Sequence, residues 1–144
     1  MQINSLVILG PTATGKTQLS LKLSQYFDSE IINCDTSIFY KYLSIGTGKP
    51  SKKNLKLVKH NLLDFLEPDQ DYSLAEFLKD ANKIISQIVS DKKVPILVGG
   101  SGQYLKALTE NWDVSNIKPN LELRKKLEKE INEIKKFSTY MISE

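Results

Sequence analysis

The sequence predicts an α/β fold built on a doubly wound parallel sheet, and three observations predict it. Short apolar runs at 6–9, 31–32 and 94–98 read as buried strands, and a loop and a helical pattern follow each. Strand, loop and helix in repetition are the grammar of such a sheet. The first loop, Gly10-Pro11-Thr12-Ala13-Thr14-Gly15-Lys16-Thr17, has the form G-x-x-x-x-G-K-[ST] between a strand and a helix. That setting makes it a P-loop, and the expected core is P-loop NTPase-like, with three layers and an incomplete C-terminal side.

Each element has its own justification. Residues 6–9 are apolar throughout, as a strand covered on both faces must be. The first helix is expected over 17–27, with Leu19, Leu21, Leu23 and Phe27 as its apolar members. Residues 31–32 form a short second strand that ends at Asn33-Cys34-Asp35, and Ile38-Phe39-Tyr40 suggests one helical turn. Gly46-Thr47-Gly48-Lys49-Pro50 breaks any regular element. Ser73-Leu74-Ala75-Glu76 is a capping box, and Leu74, Phe77, Leu78, Ala81, Ile84, Ile85 and Ile88 then recur at helical spacing over 74–89. The third strand, 94–98, tolerates Pro95 near its start. Gly99-Gly100-Ser101-Gly102 turns into a helix through Tyr104, Leu105 and Leu108. Residues 1–120 thus read as the core. Residues 121–144 read as a charged helix over 121–134 followed by an irregular tail, the start of a further helical part rather than a finished domain end.

The P-loop implies an anion. Glycines let the backbone curl so that successive amides point inward, and the helix N-terminus adds partial positive charge. Lys16 would reach terminal phosphate oxygens, and the Thr17 hydroxyl would face Mg²⁺. Nucleoside triphosphatases such as ATP-binding enzymes, small-molecule kinases and enzymes with pyrophosphate leaving groups share this cradle, so it leaves the substrate open. In doubly wound sheets ligands bind beyond the carboxyl ends of the strands. The P-loop, Asp35-Thr36-Ser37 and residues 99–102 all fall there. Asp35 admits three roles: a general base, the N-cap of the turn after it, or an outer contact to Mg²⁺.

Composition narrows the class. The hydrophobic share of 40% and charged share of 26% are those of a globular protein. No apolar run reaches the length of a membrane span, no signal peptide is expected, and the single Cys34 fits a small buried residue in a reducing, cytoplasmic setting. Between Thr36 and Leu63 there is no acidic residue, whereas Lys41, Lys49, Lys52, Lys53, Lys56 and Lys59 all lie there. This stretch suits a nucleic-acid or nucleotide partner and equally a solvated surface. Of 20 basic residues only Arg124 is an arginine, which supplies poorly the arginine clamp common in phosphoryl transfer.

Taken together, the motifs resemble those of the tRNA dimethylallyltransferases (tRNA isopentenyltransferases, the IPP transferase family). The P-loop is similar to their GPTASGKT. Asp35-Thr36-Ser37-Ile38-Phe39-Tyr40 resembles D-S-x-x-x-Y, and residues 45–50 resemble IGTAKP. His60 through Asp64 resembles H-x-L-I-D, residues 72–77 resemble Y-S-A-x-x-F, and 94–108 resemble IPILVGGTGLYLRAL. The resemblance implies transfer of the dimethylallyl group of dimethylallyl diphosphate to the N6 amine of the tRNA adenosine next to the anticodon, at position 37. It implies Mg²⁺ and residues 10–17 for the diphosphate, with Lys16 and Asp35 catalytic and Asp35 the base for the amine. It further implies Asp35, Thr36, Ser37, Ile38, Ser101 and Arg124 as contacts to the tRNA anticodon arm. His60 matches the family's histidine and is expected to be structural. Thr36 stands where the family usually has Ser, and Ile38 where it often has Gln. Family members are much longer and usually monomeric, so this chain reads as an apparently truncated N-terminal part. Its open sheet edges favour self-association and low stability. A small P-loop kinase and a non-catalytic, phosphate-binding remnant remain as alternatives.

Overall fold

The computed structural model describes residues 5–114 and 120–142, with side chains of the last helix described as far as residue 134. The chain divides into two compact units, 1–114 and 115–144. In chain order the first holds β1 (Leu6–Leu9), α1 (Lys16–Leu23), β2 (Ser29–Asn33), a 3₁₀ turn (Thr36–Ile38), α2 (Lys52–Leu55), β3 (His60–Asn61), α3 (Leu74–Ser90), β4 (Val94–Gly99) and α4 (Gly102–Thr109). The sheet has four strands in the order β1-β4-β2-β3, and every pairing is parallel.

Alternation along the strands divides the core into the layers that flank the sheet. Ile8, Ile31, Ile96 and Val98 face Leu21 of α1. Ile32, Cys34 and Leu97 point the other way, into a larger cluster with Phe77, Leu78, Ala81, Ile85 and Ile88 of α3 and Leu105 of α4. Central strands buried on both faces need continuous apolar sequence, and Pro95-Ile96-Leu97-Val98 supplies it. Val94 donates its amide to Asp28 on the β2 side at 2.8 Å. The position of Pro95 therefore faces the β1 side, one residue before that ladder begins at Leu6 and Ile96, so its missing N–H breaks no bond.

β2 buries all five residues, including Glu30. Burial alone would raise the Glu30 carboxyl. Lys59, Asn61 and Lys93 outweigh it and hold the group below its ordinary value, with Lys59 at 2.9 Å and Lys93 at 3.2 Å. β1 is the other end of the sheet, and the expectation that both its faces are covered is not met: Ile8 is buried, whereas Val7 is 45% and Leu9 57% exposed on the opposite face.

Four further details differ from the sequence expectation. The first helix stops at Leu23, after which the chain winds on in turns through Phe27. Ser24 donates its hydroxyl back to Leu21 O at 2.8 Å, a local bond that competes with helix propagation. A fourth strand, β3, was not expected: two residues carry no period, and only pairing to Ile31 and Ile32 of β2 defines it. α2 was missed as well, because its four residues bury none of their side chains. The tail expected to be irregular is helical, since α5 runs Leu121–Ile142. No Gly or Pro interrupts that span, and the aromatic and β-branched residues near its end lower helix propensity only slightly. Ser143 and Glu144 lie outside the described residues. Asn120 caps the start of α5 by accepting from Leu123 N at 2.9 Å. Leu121, Leu127, Ile131 and Ile134 are all exposed.

The capping box of α3 is present. Ser73 Oγ accepts from Glu76 N at 3.2 Å, and Ser73 N donates to the Glu76 carboxylate at 2.8 Å. Ser73→Ala should lower stability by about 1 kcal/mol, the usual worth of an N-cap. Urea unfolding of the two chains side by side would check it, with unchanged slope and a lower midpoint expected.

Candidate functional site

The chain turns from β1 into α1 through the P-loop, and two residues there take left-handed backbone angles: Ala13 at φ 64° and Gly15 at φ 85°. Gly15 suits that region at no cost, whereas Ala13 holds it at some strain. Thr14 Oγ1 donates to Pro11 O at 2.8 Å and Lys16 Nζ donates to the same carbonyl at 2.6 Å, which pins the loop across its own width. Lys16 and Thr17 are half-buried, and the residues before them in the loop are largely exposed.

Asp35 follows β2 in extended conformation (φ −132°) and caps the 3₁₀ turn. Its Oδ1 accepts from Ser37 N at 3.2 Å and Ser37 Oγ at 2.8 Å. Among the described residues no donor reaches Oδ2. That oxygen lies against Gly100, where a Cβ would come within 3.0 Å of it. The turn is held from behind by aromatic packing. Phe39, 1% exposed, has Phe65 and Tyr72 at 5.5 Å between centroids and Phe77 at 6.1 Å.

The end of β4 lies directly on the end of β2. Cys34 N donates to Val98 O at 2.7 Å and Ser101 N donates to Cys34 O at 3.3 Å. A side chain at Gly99 would collide with the Cys34 backbone, so only glycine permits the approach. Ser101 Oγ accepts from Thr36 N at 3.4 Å and ties the third loop to the second. Burial pushes the Cys34 thiol up to about 12, which fits the inert core residue expected of it.

These loops surround a cavity of about 420 Å³. Of the residues singled out in the sequence, Thr12, Ala13, Gly15, Lys16, Thr17, Asp35 and Ile38 line it. Gly10, Pro11, Thr14, Thr36, Ser37 and Ser101 shape those loops without lining the cavity. Arg124 lies on α5 in the second unit and is exposed. Ile31, Ile38 and Val98 give the cavity an apolar wall beside the cationic loop.

Further lining residues were not expected at the site: the sequence marks Thr47, Gly48 and Pro50 only within a motif, and His60 only as structural. Thr47, Gly48 and Pro50 enter from the loop after the 3₁₀ turn, and the glycine–proline punctuation there was the available signal. The loop is anchored by Lys49, whose buried ammonium donates to Tyr40 O and pairs with Asp64. His60, in β3, also lines the cavity. Both of its ring nitrogens are buried without a hydrogen-bond partner, and burial holds its pKa below the ordinary 6.5.

Pairing also divides the lysine-rich stretch. Lys41 pairs with Glu67, Lys49 with Asp64 and Lys59 with Glu30. Lys52, Lys53 and Lys56, on and just after α2, are exposed, and among the described residues no carboxylate pairs with them. The basic surface is therefore half the size the sequence suggested. Among the described residues no helix is long and apolar enough to cross a membrane.

A family model described as IPP transferase matches residues 38–142. The tRNA dimethylallyltransferase of Herpetosiphon aurantiacus is 46% identical over 125 residues, covering 87% of this chain and 40% of that protein. The enzyme of the same name from Oenococcus oeni is 49% identical over 111 residues, covering 77% and 43%. The crystal structure of the full-length tRNA isopentenylpyrophosphate transferase from Bacillus halodurans superposes with a TM-score of 0.77 at 32% identity, over 92% of this chain and 44% of that one. A eukaryotic dimethylallyltransferase captured acting on tRNA gives 0.69 at 29% identity, over 78% and 30%. The chain thus spans about 40% of the length of the curated relatives it matches.

Two outcomes follow from this geometry. Gly99→Ala should destabilise the fold by the upper end of the roughly 1–3 kcal/mol typical of overpacking, or more, because backbone rather than a side chain must yield. Thermal unfolding checks this, with Gly102→Ala, where a Cβ meets nothing within 4 Å, as the tolerant control. His60 is held neutral in the folded state, so the unfolded chain takes up a proton first as pH falls. Stability should therefore decline as pH drops below about 6.5 and level off beneath the folded pKa. His60→Gln should remove that part of the slope in urea midpoints measured from about pH 7.5 down to about pH 5, which brackets the histidine range.

Proposed function

The chain belongs to the IPP transferase family, and on that premise we propose that it carries the diphosphate site and the base of a tRNA dimethylallyl transfer. The observation behind this reading is the meeting of a phosphate loop, an aspartate and an apolar wall at one cavity. A diphosphate on residues 10–17 would place its short branched hydrocarbon beside Ile31, Ile38 and Val98. A nucleoside triphosphate would have less use for that wall.

The reaction needs an N–C bond to form as a C–O bond breaks. The N6 amine of the adenosine at position 37 attacks the first carbon of the dimethylallyl group, and diphosphate departs with the bonding electrons. Asp35 takes the proton that the amine sheds. Its Oδ1 is fixed by Ser37, and Oδ2 is the oxygen left to receive it. The Lys16 ammonium and the loop amides stabilise the departing charge. Thr36, Ser37, Ile38 and Ser101 flank Asp35 and would receive the target base, flipped from its stack at a cost of a few kcal/mol. Arg124 would add a contact to the tRNA.

Mg²⁺ fits this donor set. It takes few protein ligands and draws the rest from substrate phosphates and water. The Thr17 hydroxyl and Asp35 carboxylate line the same cavity, and among the described residues no cluster of three His, Cys, Asp or Glu side chains competes with them. When bound, the ion neutralises charge on the leaving diphosphate.

Transfer of labelled dimethylallyl to an anticodon stem-loop is the test. Asp35→Asn should reduce transfer at least 100-fold, the low end of general-base contributions, while leaving pyrophosphate binding measured without Mg²⁺ intact. A folded chain that binds pyrophosphate and labels no RNA would refute transfer by this chain.

A further inference from the structure

The loop between the 3₁₀ turn and α2 presents its apolar side chains outward. Tyr42 is 80% exposed, Leu43 47% and Ile45 98%. Tyr42 also sits at φ 63°, a left-handed angle that a non-glycine side chain adopts at a cost. Glycine would hold this corner without strain, and solvent gives an exposed ring nothing in return. The loop is nonetheless ordered. Thr47 Oγ1 donates to Leu43 O at 2.8 Å, Leu43 N donates to Lys41 O at 2.8 Å, and buried Lys49 anchors the exit.

The position of the loop narrows what the ring can meet. Thr47 O lies 3.5 Å from Ser37 Oγ, so the loop sits against the residue that also fixes Asp35. Thr47 and Gly48 line the cavity. Immediately after the loop come Lys52, Lys53 and Lys56, the exposed cations without carboxylate partners. An exposed aromatic ring on a loop that leads into lysines with no carboxylate partner among the described residues is a combination suited to single-stranded nucleic acid, with bases on the ring and phosphates on the cations. No acidic residue occurs from Thr36 to Leu63 to oppose it.

We infer that Tyr42, with Ile45 beside it, is a stacking platform for an unpaired nucleotide of the RNA substrate next to the base that enters the cavity. Lys52, Lys53 and Lys56 track the adjoining phosphates. This rests on the proposed RNA substrate and adds a specificity residue to it. The platform favours unpaired loops over duplex because a paired base has no free face to offer.

Equilibrium binding of a fluorescein-labelled hairpin with an unpaired loop, compared with a blunt duplex of equal charge, tests this on the full chain. Pyrophosphate binding is measured in parallel. The wild-type chain should prefer the hairpin. Tyr42→Gly should weaken hairpin binding roughly ten-fold, the order of one lost base stack. It should leave pyrophosphate binding unchanged and the melting temperature equal or higher, since glycine relieves the corner. Tyr42→Phe should retain the affinity. The loss on Tyr42→Gly should be alike at low and high salt, whereas Lys52→Gln with Lys53→Gln should flatten the salt dependence. Equal hairpin affinity in Tyr42→Gly and wild type overturns the platform and leaves the transferase reading in place. A wild-type chain that binds pyrophosphate but no hairpin overturns both.

Discussion

The site depends on a side chain that is missing. At Gly99 the backbone of β4 presses on the Cys34 backbone at the end of β2, and Cys34 then bonds Val98 on one side and Ser101 on the other. Any Cβ there would force the strands apart. Because the strands are parallel, their carboxyl ends share one edge of the sheet, and the crossover loops must meet there. The close approach at Gly99 turns that general tendency into a particular geometry. It sets Asp35 Oδ2 against Gly100 and brings the Ser101 hydroxyl to Thr36 N. The aromatic cluster around Phe39 braces the same turn from the other face of the sheet.

Charge is arranged on the same principle, with paired groups holding the scaffold and unpaired ones left near the ligand. Glu30 is buried, and isolated burial of a carboxylate is costly. Lys59, Lys93 and Asn61 satisfy it and join β2 to its neighbours. Lys49 is spent on Asp64 and the Tyr40 carbonyl, which fixes the loop that carries Thr47 and Gly48. Among the described residues Lys16 has only a carbonyl as partner, so a phosphate could draw it away without leaving a carboxylate unpaired. His60 is the exception in this accounting, with both nitrogens buried and unpartnered. Such a group costs on the order of 1–3 kcal/mol, and it sits in the cavity wall rather than in the deep core.

What could be read in advance follows from where the determining forces are local. The P-loop, the α3 capping box and the buried run of β4 are each specified by residues within a few positions, and each is present. β3 could not be read, because His60 and Asn61 become a strand only through pairing with Ile31 and Ile32. The same holds for the cavity wall. Nothing near Thr47 or His60 in the chain says that they will line one cavity with Lys16: pairing with Ile31 brings His60 there, and the loop anchored by Lys49 brings Thr47. The lysine-rich stretch misled for a related reason. The carboxylates that neutralise Lys41, Lys49 and Lys59 come from outside it, on Glu67, Asp64 and Glu30.

The shape of the cavity bears on what a P-loop is doing in this chain. In phosphoryl transfer the reacting phosphorus lies between donor and acceptor, and arginines commonly gather its equatorial charge. Here the sequence holds one arginine, Arg124, in the second unit. The space beyond the loop joins an apolar wall of Ile31, Ile38 and Val98 to Asn33, Asp35 and His60, and none of these supplies a second cation for a transferring phosphoryl group. On the proposed reading a hydrocarbon would lie there, Asp35 would take the proton of a nucleophile that attacks carbon, and the loop would bind the leaving group. Its amides and Lys16 are worth most when the C–O bond breaks and charge collects on the diphosphate, which is the condition for stabilising a transition state over a bound substrate.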